Sequence, residues 1–230
     1  MHLTSKIGSS LRIAAVAMFA LAVLPSTTAA ATIFFGPTPY LSSADIPAGF
    51  YQGGAPIGLE NFEDGVLSFG ITASVGNVLA PGVLTDSVDG DDGAIDGFGN
   101  GGNSWFASTP LTFTFPGLPT AVGLVWTDGA PGNFQFEAFG PGMVSLGVFG
   151  PFFLGDGPVT GTTAEDRFVG VHDPGGILAF RVISGVLVEV DHVQFGIGPT
   201  PVTPGPAVPE PASMLLLGAG LAGLAVRRRR

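Results

Sequence analysis

Short apolar runs follow one another through the middle of the chain, separated by residues that favour turns. Leu111, Phe113 and Phe115 alternate with threonines, which is the period of a half-buried strand. An alternating run at 66–73 predicts an earlier strand of the same kind. Later apolar runs, each bounded by Gly, Pro, Asp or Asn, occupy residues 121–126, 134–139, 144–149, 167–171, 177–183 and 186–195. Because no amphipathic helix interrupts this series, the pattern predicts an all-β sandwich or barrel, of which we favour an antiparallel β-sandwich.

The first residues have the pattern of an export signal. Basic residues precede an apolar run at 13–24, Pro25 ends that run, and Ala30 and Ala31 supply the small side chains that signal peptidase requires. The run is too short for a permanent membrane helix. We therefore predict a signal peptide at 1–31, removed by signal peptidase after one of these two alanines.

Composition divides the remaining chain into an arm, a domain and a linker. Residues 32–59 are rich in Pro and Gly with scattered aromatics, which predicts an extended N-terminal arm. Residues 60–198 carry the strand pattern and form the predicted sandwich domain. Residues 199–207 form a stiff Pro-rich linker. The chain has 37 Gly and 20 Pro, but its 19 Phe and 46% hydrophobic residues are enough to bury a core.

The charges of the body exclude one class of partner. Arg167 and Arg181 are the only basic residues between 32 and 208, and seventeen acidic residues in the same stretch give it a net charge of −15. Nucleic acid binding needs basic patches, so we predict no nucleic acid partner. An acidic surface attracts cations instead. The chain has no cysteine, and therefore no disulfide framework.

The C-terminal stretch combines three features in a fixed order. An uncharged run at 212–226 follows a Pro-Glu-Pro motif, and four arginines at 227–230 end the chain. As a helix, the run would span about 22 Å, short of the roughly 30 Å hydrocarbon core, so it predicts a thin transmembrane helix. The arginines are expected to stay cytoplasmic. The motif residues are Val208, Pro209, Glu210 and Pro211.

This arrangement resembles the PEP-CTERM sorting signal of Gram-negative bacteria over residues 208–230. The resemblance implies that an exosortase recognises and removes the segment, usually in an organism that makes exopolysaccharide. The chain is then exported to the cell envelope, outer surface or extracellular space, after transient anchoring in the inner membrane. The alternative is an ordinary tail anchor that stays uncut.

An acidic, glycine-rich loop is the densest polar cluster in the sequence. Five aspartates fall within eleven residues: Asp86, Asp89, Asp91, Asp92 and Asp96. Calcium takes six to eight oxygen ligands on a tightly turning loop, so this cluster predicts a Ca²⁺ site. The spacing is not that of an EF-hand, because Gly93 and Asn100 stand where that motif has ligands. The alternative is a solvated acidic loop.

Aromatic residues near that loop offer a second kind of binding site. Trp105, Phe106 and Trp126 have flat faces that suit the apolar side of a sugar ring. Trp105, together with Asn103, follows the acidic loop directly and is the favoured ligand-binding position. The alternative is that the tryptophans belong to the core.

Catalytic constellations are sparse. The body has only His172 and His192, no cysteine nucleophile and no Gly-x-Ser-x-Gly elbow. Two carboxylate pairs would suit a glycosidase if they were close in space, namely Glu63 with Glu165 and Asp128 with Glu137. We therefore predict that the chain is not an enzyme.

The body, 60–196, is similar to the jelly-roll domains often found ahead of PEP-CTERM signals. The similarity rests on Asn61-Phe62-Glu63, on 168–171 with Gly176-Ile177, and on 190–196. It implies a jelly-roll topology for the sandwich, and a carbohydrate-binding or lectin-like, non-catalytic surface protein. The expected function is an envelope or matrix protein that binds polysaccharide or another envelope component, with Ca²⁺ ordering the acidic loop. The alternatives are a secreted glycan-active hydrolase and a passive structural coat protein.

Overall fold

The computed structural model describes residues 31–88, 99–155, 157–158, 160–161 and 165–199. The predicted signal helix, most of the linker and the sorting segment lie outside these ranges. So do four of the five aspartates of the acidic loop: Asp89, Asp91, Asp92 and Asp96.

Twelve strands make up the regular structure of the described residues, with two short 3₁₀ turns between them. The strands are β1 (Ile33–Pro39), β2 (Gly58–Glu60), β3 (Thr72–Ala73), β4 (Asn77–Leu79), β5 (Ser104–Ser108), β6 (Leu111–Thr114), β7 (Ala121–Gly129), β8 (Gly132–Phe139), β9 (Ser145–Leu154), β10 (Arg167–His172), β11 (Ala179–Ile183) and β12 (Leu187–Gly196).

The strands form two antiparallel sheets with a jelly-roll connection. The larger sheet has the order β1-β10-β7-β12-β5-β4, with β2 also paired to β12, and the smaller sheet has the order β3-β6-β11-β8-β9. From β5 to β12 the chain changes sheet at every step except the β8–β9 hairpin. Two four-stranded arrays, β10-β7-β12-β5 and β6-β11-β8-β9, result from this winding. The predicted antiparallel sandwich and its jelly-roll topology are therefore confirmed.

The main core lies between the two sheets and is built largely from phenylalanine. Inward-facing residues of β6, β8 and β11 meet those of β7, β10 and β12. Trp126 of the large sheet packs edge-to-face on Phe134 of the small sheet, with 5.2 Å between the ring centres. The alternation predicted at β6 is confirmed, because Leu111 and Phe113 are buried and the intervening Thr112 is half-buried.

The N-terminal arm is part of the sandwich. Its strand β1 pairs with β10 and forms one edge of the large sheet. Beyond β1, Tyr40, Phe50 and Tyr51 turn back over the outer face of that sheet and pack on Val125 and Phe168. They form a second apolar cluster, so the arm covers part of the outer face of this sheet.

The strand predicted at 66–73 is wrong for most of its length. Only Thr72–Ala73 pairs with a neighbour, and Val66 and Phe69 are exposed. Phe69 has φ of 55° and Gly70 has φ of 71°, and two consecutive left-handed residues interrupt an extended backbone before the paired residues begin. Sequence alternation alone did not reveal this turn.

Candidate functional site

A pocket opens on the part of the outer face that the arm leaves uncovered. Its volume is about 320 Å³, and it lies over the ends of β4, β5, β12 and β7. Leu79, Leu84 and Leu187 form apolar walls. Phe106, Asp128 and Glu189 also line it. The size is at the lower end of the range for small-molecule sites.

Strand register places three of these residues in one row. Trp105 and Ala107 point into the core, so Phe106 between them points to the outer face. Phe106 is the cross-strand partner of Glu189, and Glu189 is in turn the partner of Asp128. An aromatic ring and two carboxyl groups therefore lie side by side across β5, β12 and β7.

An irregularity in β7 brings Asp128 into this row. Simple alternation would place it on the same face as Trp126, which points into the core. The register with β12 shifts at this point, because Glu189 pairs with Asp128 and the next residue, Val190, pairs with Trp126. The extra residue turns Asp128 toward the pocket.

Glu189 is the most perturbed carboxyl group of the site. Its side chain is 3% exposed, and burial raises its pKa to about 7, with a smaller contribution from the nearby charge of Asp128. Two hydrogen bonds to its Oε1 oppose this rise, one from the Asp86 backbone N–H at 2.8 Å and one from the Ser104 hydroxyl. Burial therefore favours the protonated form of Glu189 well above the pH at which a free glutamate ionises.

Asp128 is also buried, at 5% exposure. Its Oδ1 accepts a hydrogen bond from the Gly129 backbone N–H at 2.5 Å. Two carboxyl groups are therefore held next to each other in an apolar pocket, where a charge on either group is poorly solvated.

The start of the acidic loop is attached to the same strand. The Val88 backbone N–H donates to Asp191 Oδ2 at 2.8 Å, and the Ser87 hydroxyl donates to the Gly99 carbonyl at 2.6 Å. Asp86 itself is 1% exposed. Two carboxyl groups of β12, those of Glu189 and Asp191, thus accept hydrogen bonds from the backbone of residues 86–88 and hold this segment against the sheet.

The calcium prediction remains a prediction. Of its five aspartates the structure describes Asp86 only. Within the described ranges, no group of three or more His, Cys, Asp or Glu residues is arranged to hold a metal ion.

The two predicted ligand-binding positions have structural contacts instead. Trp105 is 8% exposed, packs against Phe62 and Phe113, and donates from Nε1 to the Val75 carbonyl at 3.0 Å. Its ring is therefore covered, and the expectation of an exposed stacking face at Trp105 is corrected. The side-chain amide of Asn103 donates to the Phe62 carbonyl at 2.9 Å and so fixes the start of β5.

Phe106 and Glu189 carried a signal in the sequence that pointed to the outer face. In Ser104–Ser108 the two serines are each two residues from Phe106 and so share its face of the strand, and in 188–191 valine alternates with acidic residues. Reading each as a strand with one polar face would have placed Phe106 and Glu189 there. The irregularity that turns Asp128 has no comparable signal.

The proposed pairing of Asp128 with Glu137 is wrong. Asp128 lines the outer pocket of the large sheet, whereas Glu137 lies on the small sheet and forms an ion pair with Arg181 at 3.4 Å. The pairing of Glu63 with Glu165 stays a prediction. Glu63 accepts a hydrogen bond from the Asn103 backbone N–H at 2.5 Å.

Both histidines of the body are buried under the arm. His172 ends β10, and its Nε2 lies 2.5 Å from the Phe50 carbonyl; burial lowers its pKa. His192 lies in an irregular part of β12 with φ of 44°, and its Nδ1 is 2.7 Å from the Tyr40 hydroxyl. These contacts join the arm to the sheet.

Comparison with known families identifies the C-terminal segment. Residues 207–230 match the family described as the PEP-CTERM protein-sorting motif. The chain is an exported exosortase substrate. The predicted sorting signal, with Val208, Pro209, Glu210 and Pro211 inside the match, is confirmed. The match covers the tail alone and carries no information on the ligand of the sandwich domain.

No curated protein and no solved structure matches the chain significantly. Among the residues with described positions, no helix is both long and apolar enough to cross a membrane.

Proposed function

We propose that the sorted chain is a non-enzymatic binding protein of the cell envelope or extracellular matrix, and that it binds a glycan in the outer-face pocket. The observation that carries the proposal is the row of Phe106, Glu189 and Asp128 across three strands of one sheet. The export signal supports a location where polysaccharide is present.

The row can engage both sides of a sugar ring. A pyranose has an apolar face that packs on an aromatic ring, and Phe106 offers such a ring at the pocket wall. The hydroxyl groups of the sugar can donate hydrogen bonds to Asp128 and Glu189. Carboxyl groups make directional hydrogen bonds in either protonation state, so the two groups would fix the orientation of the ring.

A glycan screen with the processed chain tests this proposal. We expect binding of at least one exopolysaccharide fragment, and we expect Phe106→Ala to weaken it at least tenfold. Phe153→Ala, which removes an exposed phenylalanine from the small sheet, is the matched control and should bind as the wild type does. Binding that does not depend on Phe106 would exclude the pocket as the site.

The alternative is a glycan-active hydrolase that uses the same pocket, and one observation favours it. Glu189 and Asp128 are direct cross-strand partners, whose Cβ atoms are typically about 4.5–5.5 Å apart. Retaining glycosidases use two carboxyl groups at a similar separation, and a glutamic acid with a pKa of about 7 suits a general acid. Turnover of a bound oligosaccharide that is lost in Glu189→Gln would establish this alternative.

A further inference from the structure

A buried carboxylate lies beside the point at which the chain enters the fold. Thr32, the residue before β1, donates a hydrogen bond from Oγ1 to Asp173 Oδ2 at 2.6 Å. The register of the two strands explains this contact, because Ile33 of β1 pairs with His172 of β10. The next pair outward is therefore Thr32 with Asp173. Asp173 is 7% exposed, and its Oδ1 accepts a hydrogen bond from the Gly175 backbone N–H at 2.8 Å.

The described side chains bring no opposite charge to Asp173. Its two hydrogen bonds come from neutral groups, a hydroxyl and a backbone N–H. Arg167 begins β10 and Asp173 follows the end of that strand, so the two residues are roughly 20 Å apart. Arg181 forms an ion pair with Glu137 on the small sheet. Burial lowers the pKa of the adjacent His172, so its ring is neutral at pH 7. A cation close to Asp173 would therefore relieve an unfavourable burial of charge.

Removal of the predicted signal peptide creates a cation at this position. Signal peptidase requires small residues at the two ends of an A-x-A motif, and Ala29 and Ala31 fit a cut after Ala31. A cut after Ala30 would instead place Thr28 at the first of these positions. The cut after Ala31 leaves Thr32 as the N-terminal residue. Its α-amino group is largely protonated at pH 7, because the ordinary pKa of such a group is about 7.7–8.0.

The new amino group lies close to the carboxylate. Only two atoms, Cα and Cβ, separate the backbone nitrogen of Thr32 from the Oγ1 that contacts Asp173. Covalent geometry therefore keeps this nitrogen within about 6 Å of Asp173 Oδ2, the range in which opposite charges stabilise one another. A cut one residue earlier would place the amino group on the exposed Ala31, up to about 3.8 Å further along the chain. The position of the cut thus decides whether the charge reaches Asp173.

We infer that signal peptidase cuts after Ala31 and that the freed amino group of Thr32 forms an ion pair with Asp173. The pair fastens the start of β1 to the end of β10. β1 closes one edge of the sandwich, because its Phe34 stacks on Phe149 of the small sheet with 5.3 Å between the ring centres. Removal of the signal peptide therefore adds a contact that holds this edge closed. The inference rests on the predicted signal peptide and is independent of glycan binding.

The composition of the chain makes a selective test possible. The sequence has no lysine after residue 31, so the α-amino group is the one primary amine of the processed chain. An acetylating reagent at neutral pH therefore neutralises this amine without changing any lysine. Mass spectrometry of the chain recovered after export identifies its N-terminal residue, and we expect Thr32. Acetylation of that chain should lower its melting temperature by at least about 2 °C, a shift that one electrostatic contact produces in a domain of this size.

Two variants and one extended chain attribute the effect to the ion pair. In Asp173→Asn, acetylation should leave the melting temperature unchanged. Asp64→Asn is the matched control, because Asp64 is exposed and its Oδ1 likewise accepts a hydrogen bond from the backbone N–H two residues later. Acetylation should lower the melting temperature of this control as it does in the wild type. A chain that retains Ala31 carries its amino group one residue away and should not respond. This chain serves as the independent comparison if Asp173→Asn does not fold.

Each result supports or overturns the inference. An acetylation effect confined to chains that begin at Thr32 and retain Asp173 supports the ion pair. An exported chain that begins at any other residue would overturn it. Equal acetylation effects in the wild type and Asp173→Asn would also overturn it, because the amino group would then act on a different partner. The same holds if the chain that retains Ala31 responds to acetylation as strongly as the chain that begins at Thr32.

Discussion

Burial of Glu189 makes a specific prediction about stability and pH. Its pKa rises from 4.5 to about 7 on folding. Between these two values the folded state holds a proton that the unfolded state has released, so the stability contributed by the protonated group is lost as pH rises. A difference of that size corresponds to about 3 kcal/mol in the free energy of unfolding, at 1.36 kcal/mol for each pKa unit.

The variant Glu189→Gln isolates this effect, because glutamine keeps the shape and has no charge to bury. Relative to the variant, the wild type should lose about 3 kcal/mol of unfolding free energy between pH 4 and pH 8, with most of the loss between 4.5 and 7. The polar groups that face Glu189 are Asp128 on β7, Ser104 on β5 and the Asp86 backbone on the covering loop. They are unchanged in the variant.

Guanidinium unfolding of wild type and variant at a series of pH values measures the difference. Trp105 and Trp126 are both buried, so their fluorescence reports on loss of the core. The pair Glu137 and Glu137→Gln gives the same chemical change on the other sheet and serves as the reference. The reasoning is refuted if the difference in unfolding free energy between the wild type and Glu189→Gln stays constant from pH 4 to pH 8.

Three further predictions concern the core, the small-sheet edge and the acidic loop. Phe136→Ala should lower the free energy of unfolding by about 3–5 kcal/mol, because this side chain is fully buried between the sheets. The Phe153 side chain is 70% exposed, so Phe153→Ala should change the same quantity by less than about 0.5 kcal/mol. Guanidinium unfolding measures both. β9 is an edge strand with exposed apolar side chains, so Phe153→Asp should reduce concentration-dependent self-association in sedimentation velocity. Equal self-association of the variant and the wild type would argue against contact through β9. If the acidic loop binds calcium, the melting temperature should rise with Ca²⁺, fall with excess EDTA, and stop responding in Asp89→Ala/Asp91→Ala; a melting temperature indifferent to both additions would make the loop a solvated turn.

Periodicity predicted those strands whose two faces differ in polarity. Leu111, Phe113 and Thr112 are sorted to the two sides of β6 as their alternation requires. The same reasoning failed at Phe69, because alternation records which residues are apolar and does not record the left-handed backbone that ends the run. The prediction of a jelly roll came from the resemblance to jelly-roll domains, since apolar runs alone do not specify which strands pair.

The candidate site was less accessible to sequence reasoning. Choosing between Trp105 and Phe106 depends on the parity of a five-residue strand, and a shift of one residue exchanges core and surface. Glu189 was overlooked because a carboxylate inside an apolar run has no obvious role until its neighbours are known. Asp128 reaches the pocket only because the register of β7 shifts by one residue, and this shift depends on tertiary pairing.

The position of β12 in the large sheet has a consequence for the order of events during export. This strand is the last one that the structure describes, ending at Gly196, yet it lies inside the sheet and pairs with β7, β5 and β2. A chain that crosses the membrane from its N-terminus delivers the central strand last, only a short linker before the sorting motif at 208. The sandwich therefore cannot close until almost all of the chain has been translocated. Until β12 has crossed, the large sheet lacks the strand that joins β7 to β5, so the export of this strand limits when the sandwich can form.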